Sequence, residues 1–263
     1  MKNTILTLSV MTWALSAGAQ QQQGRVTYER TVQMQFQLMN VNAEPAAHSQ
    51  SHKDKLEVLF GNGRSLRRNV AENEGPEEFA ETGGRHLVMM VADANDVTYT
   101  DFSSNRVVNQ REFGTKNYIV TDSVARLNWK LTGETMTVLG YSCQQALSQR
   151  IGKRGMTGVE NGQLKTREVP DTAVITAWFT TAIPVPAGPD YQGQLPGLIL
   201  AIDINNGATV YKAVDISETV DLGSIKEPSK GKKVTAAEFV QIRDKMMAEM
   251  QRNGGGAMRA VRQ

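Results

Sequence analysis

The sequence predicts a mainly β fold: a single curved antiparallel sheet, an open half-barrel, with a C-terminal helix packed on it. Three observations carry this. Val26, Tyr28, Val32, Met34, Phe36 and Leu38 all fall on even positions with mostly polar residues between them, the period-2 rhythm of a strand with one face buried. Gly61-Asn62-Gly63 and Asn205-Asn206-Gly207 separate later apolar runs with residues that tolerate positive φ, as hairpins require. Only the stretch after Thr235 shows apolar residues at spacings of three and four, the mark of a docked helix.

Taken in order, the chain opens with an export signal. Lys2 gives a positive start, Ile5 to Leu15 is a mostly apolar run, and Ala17-Gly18-Ala19 supplies small residues for cleavage before Gln20. The run is too short for a permanent membrane span, which needs about 20 residues. No cysteine follows the cut, so no lipid anchor is expected there. The expected organisation is a signal peptide over 1–19, a β-rich domain over 20–234, a helix over 235–252 packed on that domain, and a flexible tail over 253–263. The expected location is periplasmic or secreted.

The first strand, Val26 to Leu38, would span about 43 Å at about 3.4 Å per residue, a length suited to a broad sheet. Asn40 to Ser51 reads as a loop, Leu56, Val58 and Phe60 as a second strand, and Arg64 to Val70 as its return. Ala71 to Gly84 is acidic and glycine-containing, an insertion. Strands are then expected at His86–Val91, Val97–Phe102, Arg106–Phe113, Lys116–Thr121, Asn128–Leu131, Thr135–Leu139 and Ser142–Ile151. A turn is expected at Thr132-Gly133-Glu134, and Gly152 to Pro170 reads as a loop rich in glycine and lysine. Ala173–Thr180, Leu198–Ile204 and Thr209–Val214 complete the set. The prolines at 184, 186, 189 and 196 make Ile183 to Gly197 an ordered link that cannot be helical. In the final helix Thr235 and Glu238 form a capping box, Phe239, Ile242, Met246 and Met250 an apolar stripe, and Asn253 with Gly254–Gly256 an expected stop.

Composition narrows the function classes. The formal net charge is +2 over 263 residues, and losing Lys2 with the leader brings it to about +1. No strong field is available to attract nucleic acid, so none is expected as a partner. Three histidines, and neither a Gly-x-Ser-x-Gly elbow nor a His-Glu-x-x-His helix, leave hydrolysis without its usual apparatus. Cys143 is the single cysteine, so no internal disulfide can form. His48 and His52, four apart, would share one face of a helix and with Cys143 form the weak candidate set for zinc or copper. The 12 methionines read as core filling.

One region carries a family resemblance. Gly188-Pro189-Asp190-Tyr191-Gln192-Gly193-Gln194-Leu195-Pro196-Gly197-Leu198-Ile199-Leu200 resembles the signature of the GLPGLI family, exported bacterial proteins of unknown function. Gln194 stands where the name motif has its leading glycine. Asn128-Trp129-Lys130-Leu131, Gly140-Tyr141 with Cys143 and Ala146, and Thr176-Ala177-Trp178-Phe179-Thr180 with Ile183-Pro184 match further landmarks in order. The resemblance implies location and fold, not a reaction.

Pro196 and Gly197 suit the central positions of a type II turn, with positive φ at Gly197, feeding Leu195, Leu198 and Ile199 into the core. Gly188 and Pro189 belong to the same structural motif. Trp178, Phe179, Tyr191 and Trp129 are the candidate walls of a binding site. The expected function is an exported, non-catalytic cell-envelope protein that binds an apolar or peptidic ligand or an outer-membrane or envelope partner, with no cofactor. The alternatives are periplasmic metal handling and, behind it, an envelope hydrolase.

Overall fold

The computed structural model describes residues 21–37, 47–70, 95–113, 115–160 and 163–257. The leader, the 71–84 insertion, the His86–Val91 strand and the last part of the tail lie outside them. Among the described residues the fold is mainly β, one open sheet with a single C-terminal helix.

Chain order gives β1 (Gly24–Gln37), β2 (Ala47–Gly61), β3 (Arg64–Asn69), β4 (Val97–Asp101), β5 (Arg106–Phe113) and β6 (Lys116–Ser123). It continues with β7 (Lys130–Val138), β8 (Tyr141–Glu160), β9 (Gln163–Thr180), β10 (Leu198–Ile204) and β11 (Thr209–Ser217), then β12 (Lys232–Val234) and α1 (Ala236–Ala257). The 12 strands lie in the order β12-β6-β5-β4-β3-β2-β1-β11-β10-β9-β8-β7. Two meanders, β1–β6 and β7–β11, are therefore joined where β1 pairs with β11, from Arg25↔Ser217 to Val32↔Thr209. All pairings are antiparallel except that of β12 with β6.

Alternation along the strands builds two cores on opposite faces. On β2, Leu56, Val58 and Phe60 point to one face and Leu59 to the other. The first face carries Val26, Tyr28, Ile175, Ala177, Phe179 and Ile202, and the segment 181–197 covers it with Ile183, Val185, Ala187 and Leu195. On the second face Leu59, Leu66, Tyr99, Val108 and Ile119 are covered by Ile225, flanked by Val220 and Leu222, as the chain passes from β11 towards β12. Burying apolar area on both faces stabilises a sheet that one layer alone would leave half wet.

Four expectations are corrected. Thr132-Gly133-Glu134 does not end a strand: β7 runs through it as a bulge, its register with β8 jumping between Leu131 and Thr135 while Gly133 takes φ 86°. Gly152 to Pro170 is not a loop. β8 and β9 stay paired out to Glu160↔Gln163, although β10 leaves β9 at Ile175 and β7 leaves β8 at Leu147. Beyond those points the hairpin is a two-stranded arm that no other strand among the described residues joins, so its sequence had no need to alternate. β2 likewise starts at Ala47, inside the stretch read as loop. The helix continues through Gly254–Gly256 to Ala257, since glycine costs a helix only about 1 kcal/mol against alanine where proline would break it.

The capping box is present: the Thr235 N–H donates to Glu238 at 2.7 Å and the Glu238 N–H donates to Thr235 Oγ1 at 3.2 Å. Phe239 docks α1 on the sheet, its ring 5.6 Å from Tyr118 and 6.5 Å from Phe113 in edge-on contacts. No helix among the described residues is long and apolar enough to cross a membrane.

Candidate functional site

The cover segment 181–197 is fixed by backbone proximity. A Cβ at Gly197 would lie 2.1 Å from the Thr180 carbonyl oxygen, and one at Gly188 would lie 2.8 Å from Ile199 Cβ. Gly197 is therefore needed for close approach of two backbones, and its φ is not positive, which overturns the type II turn expected at Pro196-Gly197. Positive φ occurs earlier, at Tyr191 (54°) and Gly193 (78°). The Gly193 N–H donates to the Pro186 carbonyl at 2.7 Å, and the Ile199 N–H donates to Ala187 at 2.9 Å. Pro189, Leu195, Leu198 and Ile199 are buried, as the motif implied, while Pro196 is exposed.

Three side chains tie the segment down. Gln194 Oε1 accepts hydrogen bonds from the Leu127 N–H and from Trp129 Nε1, both at 3.0 Å. Residues 124–129 cross the sheet face from β6 to β7, so Gln194 clasps two covering layers together. Ser65 of β3 donates to Gln192, both buried. Beneath, the Tyr28 hydroxyl donates to the Ile199 carbonyl at 2.7 Å.

The aromatic candidates separate. Trp129 and Tyr191 meet edge to face at 5.7 Å. Phe179 is 1% exposed and sealed in the core, so it cannot line an accessible wall. Alternation along β9 turns the half-buried Trp178 away from Phe179, to the other face.

Beside Tyr191 lies a polar margin that the sequence reading missed. Arg30, 9% exposed, forks onto Asp54 from the neighbouring strand, with Nε 2.9 Å from Oδ1, and on its other side it pairs in register with Tyr211 of β11. Burial opposes the Arg30 charge, but the Asp54 carboxylate more than offsets it, so the guanidinium holds its proton more tightly than usual. Burial, and after it the Asp190 charge, pushes the Tyr191 phenol up to about 12. The Tyr191 hydroxyl is buried and has no hydrogen-bond partner among the described residues, while its own N–H donates to Asp190 Oδ1 at 2.8 Å. The missed signal was Arg30 itself, an even-numbered position in a run whose other even members are apolar.

The metal candidates are not assembled. His48 and His52 lie on strand β2, not a helix, so their spacing puts them about 13 Å apart along the chain at about 3.3 Å per residue. His52 Nε2 sits 3.7 Å from Asp54 Oδ2. Cys143 is buried on β8, five strands from β2 in sheet order, its thiol 3.6 Å from the Tyr141 carbonyl, and burial raises its pKa, which keeps it protonated. Among the described residues no three His, Cys, Asp or Glu side chains are grouped to hold an ion.

A family model described as a protein of unknown function (Porph_ging) matches residues 129–201, from Trp129 through the cover segment into β10. The match is thus to an uncharacterised family, over the region where the signature residues cluster. No curated protein matches. Two solved structures are similar, titled "Structure of PNGF-II in C2 space group" and "Structure of PNGF-II in P21 space group". The first has TM-score 0.48 at 17% identity, over 83% of this chain and 32% of that one. The second has TM-score 0.47 at 18% identity, over 82% and 33%. This chain spans about a third of the length of those structures.

Proposed function

We propose that this protein is an exported, non-catalytic cell-envelope protein that binds a peptidic segment, free or presented by an envelope partner, at the margin formed by Asp190, Tyr191, Tyr211 and the Arg30–Asp54 pair. Tyr191 carries the reading. A bulky residue at φ 54° holds a buried hydroxyl without a partner, two local costs at one position. Backbone strain and unmet buried polar groups each cost on the order of 1–3 kcal/mol and tend to persist where they serve a ligand. Once the margin opens to expose it, that hydroxyl would donate to a peptide carbonyl, peptide amides would donate to Asp190, and the Trp129 ring would flank the chain.

A peptidic ligand is favoured over an apolar one because the apolar space under the cover segment is already filled by Ile183, Leu195 and Leu198. Export is supported by the apolar run and the small residues at Ala17-Gly18-Ala19. N-terminal sequencing of protein recovered from the native host should start at Gln20, and a chain retaining Met1 refutes export.

Binding is tested by screening a peptide library against the wild type and Tyr191→Phe. Loss of the hydroxyl should weaken the bound peptides tenfold or more, about 1.4 kcal/mol. Equal binding by both proteins would remove the margin as the site.

A further inference from the structure

We infer that the protein pairs with a second copy of itself through the outer edge of β8, arm against arm, in a two-fold symmetric antiparallel contact. A sheet edge is an open row of donors and acceptors, and proteins normally blunt it with short strands, bulges or proline. The edges at the two ends of the sheet are blunted. β12 is three residues long, and β7 is bulged at Gly133. On the arm, the β9 edge carries Pro170, whose nitrogen points the same way as Val174 towards the β10 side. The outer edge of β8 from Ile151 to Val159 has no proline, bulge or paired strand among the described residues.

The direction of its hydrogen-bonding groups follows from the hairpins. Val138 and Tyr141 flank the two-residue turn Leu139-Gly140, so odd residues of β8 direct their backbone groups towards β7. Beyond Leu147 those of Gln149, Ile151, Lys153, Gly155, Thr157 and Val159 therefore face outward. An isolated two-stranded ribbon is marginal in water, so the arm as it stands lacks the support a further strand would give. Ile151, at its base, is 81% exposed.

The sequence of this edge suits itself in one register. With Gly155 opposite Gly155 of the partner subunit, Ile151 faces the partner's Val159, Lys153 faces the partner's Thr157, and Arg150 faces the partner's Glu160. That register sets β-branched residues and opposite charges at paired positions, and the two-fold axis repeats each pair. Centring on Arg154 would set like charges face to face, and centring on Met156 would put Glu160 opposite Gly152. The outward groups from Ile151 to Val159 would be matched in the Gly155 register, about ten hydrogen bonds in all.

The test uses the mature chain. Light scattering with size exclusion should give a dimer, and Thr157→Pro, which removes one outward N–H, should give a monomer with an unchanged β-sheet circular dichroism spectrum. Gly155→Cys should cross-link with itself under oxidation, whereas Thr157→Cys should not. Glu160→Lys should weaken the dimer at least tenfold, and adding Arg150→Glu should restore it. A wild-type chain that stays monomeric at its solubility limit overturns the inference. So does a dimer indifferent to Thr157→Pro, or a charge swap that fails to restore.

Discussion

Tyr191 and Arg30 show how single side chains set the character of the margin. Replacing Tyr191 with Phe removes a buried hydroxyl that meets no partner, so the free protein should gain about 1 kcal/mol while losing ligand, a combination that urea unfolding and binding assays read separately. Opposite signs in the two assays separate a ligand group from a packing group. The phenol also gives a pH signature. Its pKa of about 12 in the fold lies above the unfolded value of 10.0, so its contribution is fully present below pH 10.0 and is lost as pH climbs from 10.0 towards 12. Absorbance titration should find at least one tyrosine ionising late. Arg30→Ala leaves Asp54 without its fork in a largely buried setting, and breaking such a pair costs about 3–5 kcal/mol where removing both charges costs far less. The double variant Arg30→Met with Asp54→Leu should therefore unfold at a higher urea concentration than Arg30→Ala alone.

At the scale of elements, the cover segment is where substitutions should bite hardest. Gly197→Ala would drive a methyl group into the Thr180 carbonyl, backbone against backbone, and should cost at least the 1–3 kcal/mol of ordinary overpacking. Gly133→Ala has open space around it and pays only for its positive φ, so it should cost less in the same denaturant series. Gln194→Gly strips the acceptor from Leu127 and Trp129 and should redden tryptophan fluorescence as the 124–129 crossing loosens. Legibility in the sequence followed burial. Strands with a buried face announced themselves, β1 and the second half of β2 by alternation and β10 by its apolar run, and the capping box placed the helix start at Thr235. The β8–β9 arm did not, because no third strand among the described residues pairs with it beyond Leu147 and Ile175. Gly197 was recognised as special for the wrong reason, since a one-dimensional pattern can suggest a turn but cannot show Thr180 pressed against it. Arg30 was passed over because a charge in an apolar rhythm looks like an exception until Asp54 appears at its register partner.

For the whole molecule, the two opposed cores make the halves separable in stability. The β3–β6 region relies on Leu59, Leu66, Val108 and Ile225, while the β8–β11 region rests on the larger cluster beneath the cover segment. Ile225→Ala should therefore raise amide exchange in β3–β6 before β8–β10 responds, with a loss of about 2–5 kcal/mol measured there. A uniform rise across the sheet would mean the two faces unfold as one unit.

The seam between β1 and β11 has a consequence in time. Residues 25–32 can find β2 soon after they appear, but their other neighbour is 209–217, nearly two hundred positions later. However the chain emerges, N-terminus first, what ends as the middle of the sheet begins as its border. Only the late arrival of β11 closes it, and until then any holdase that recognises bare strands has a target in residues 25–32.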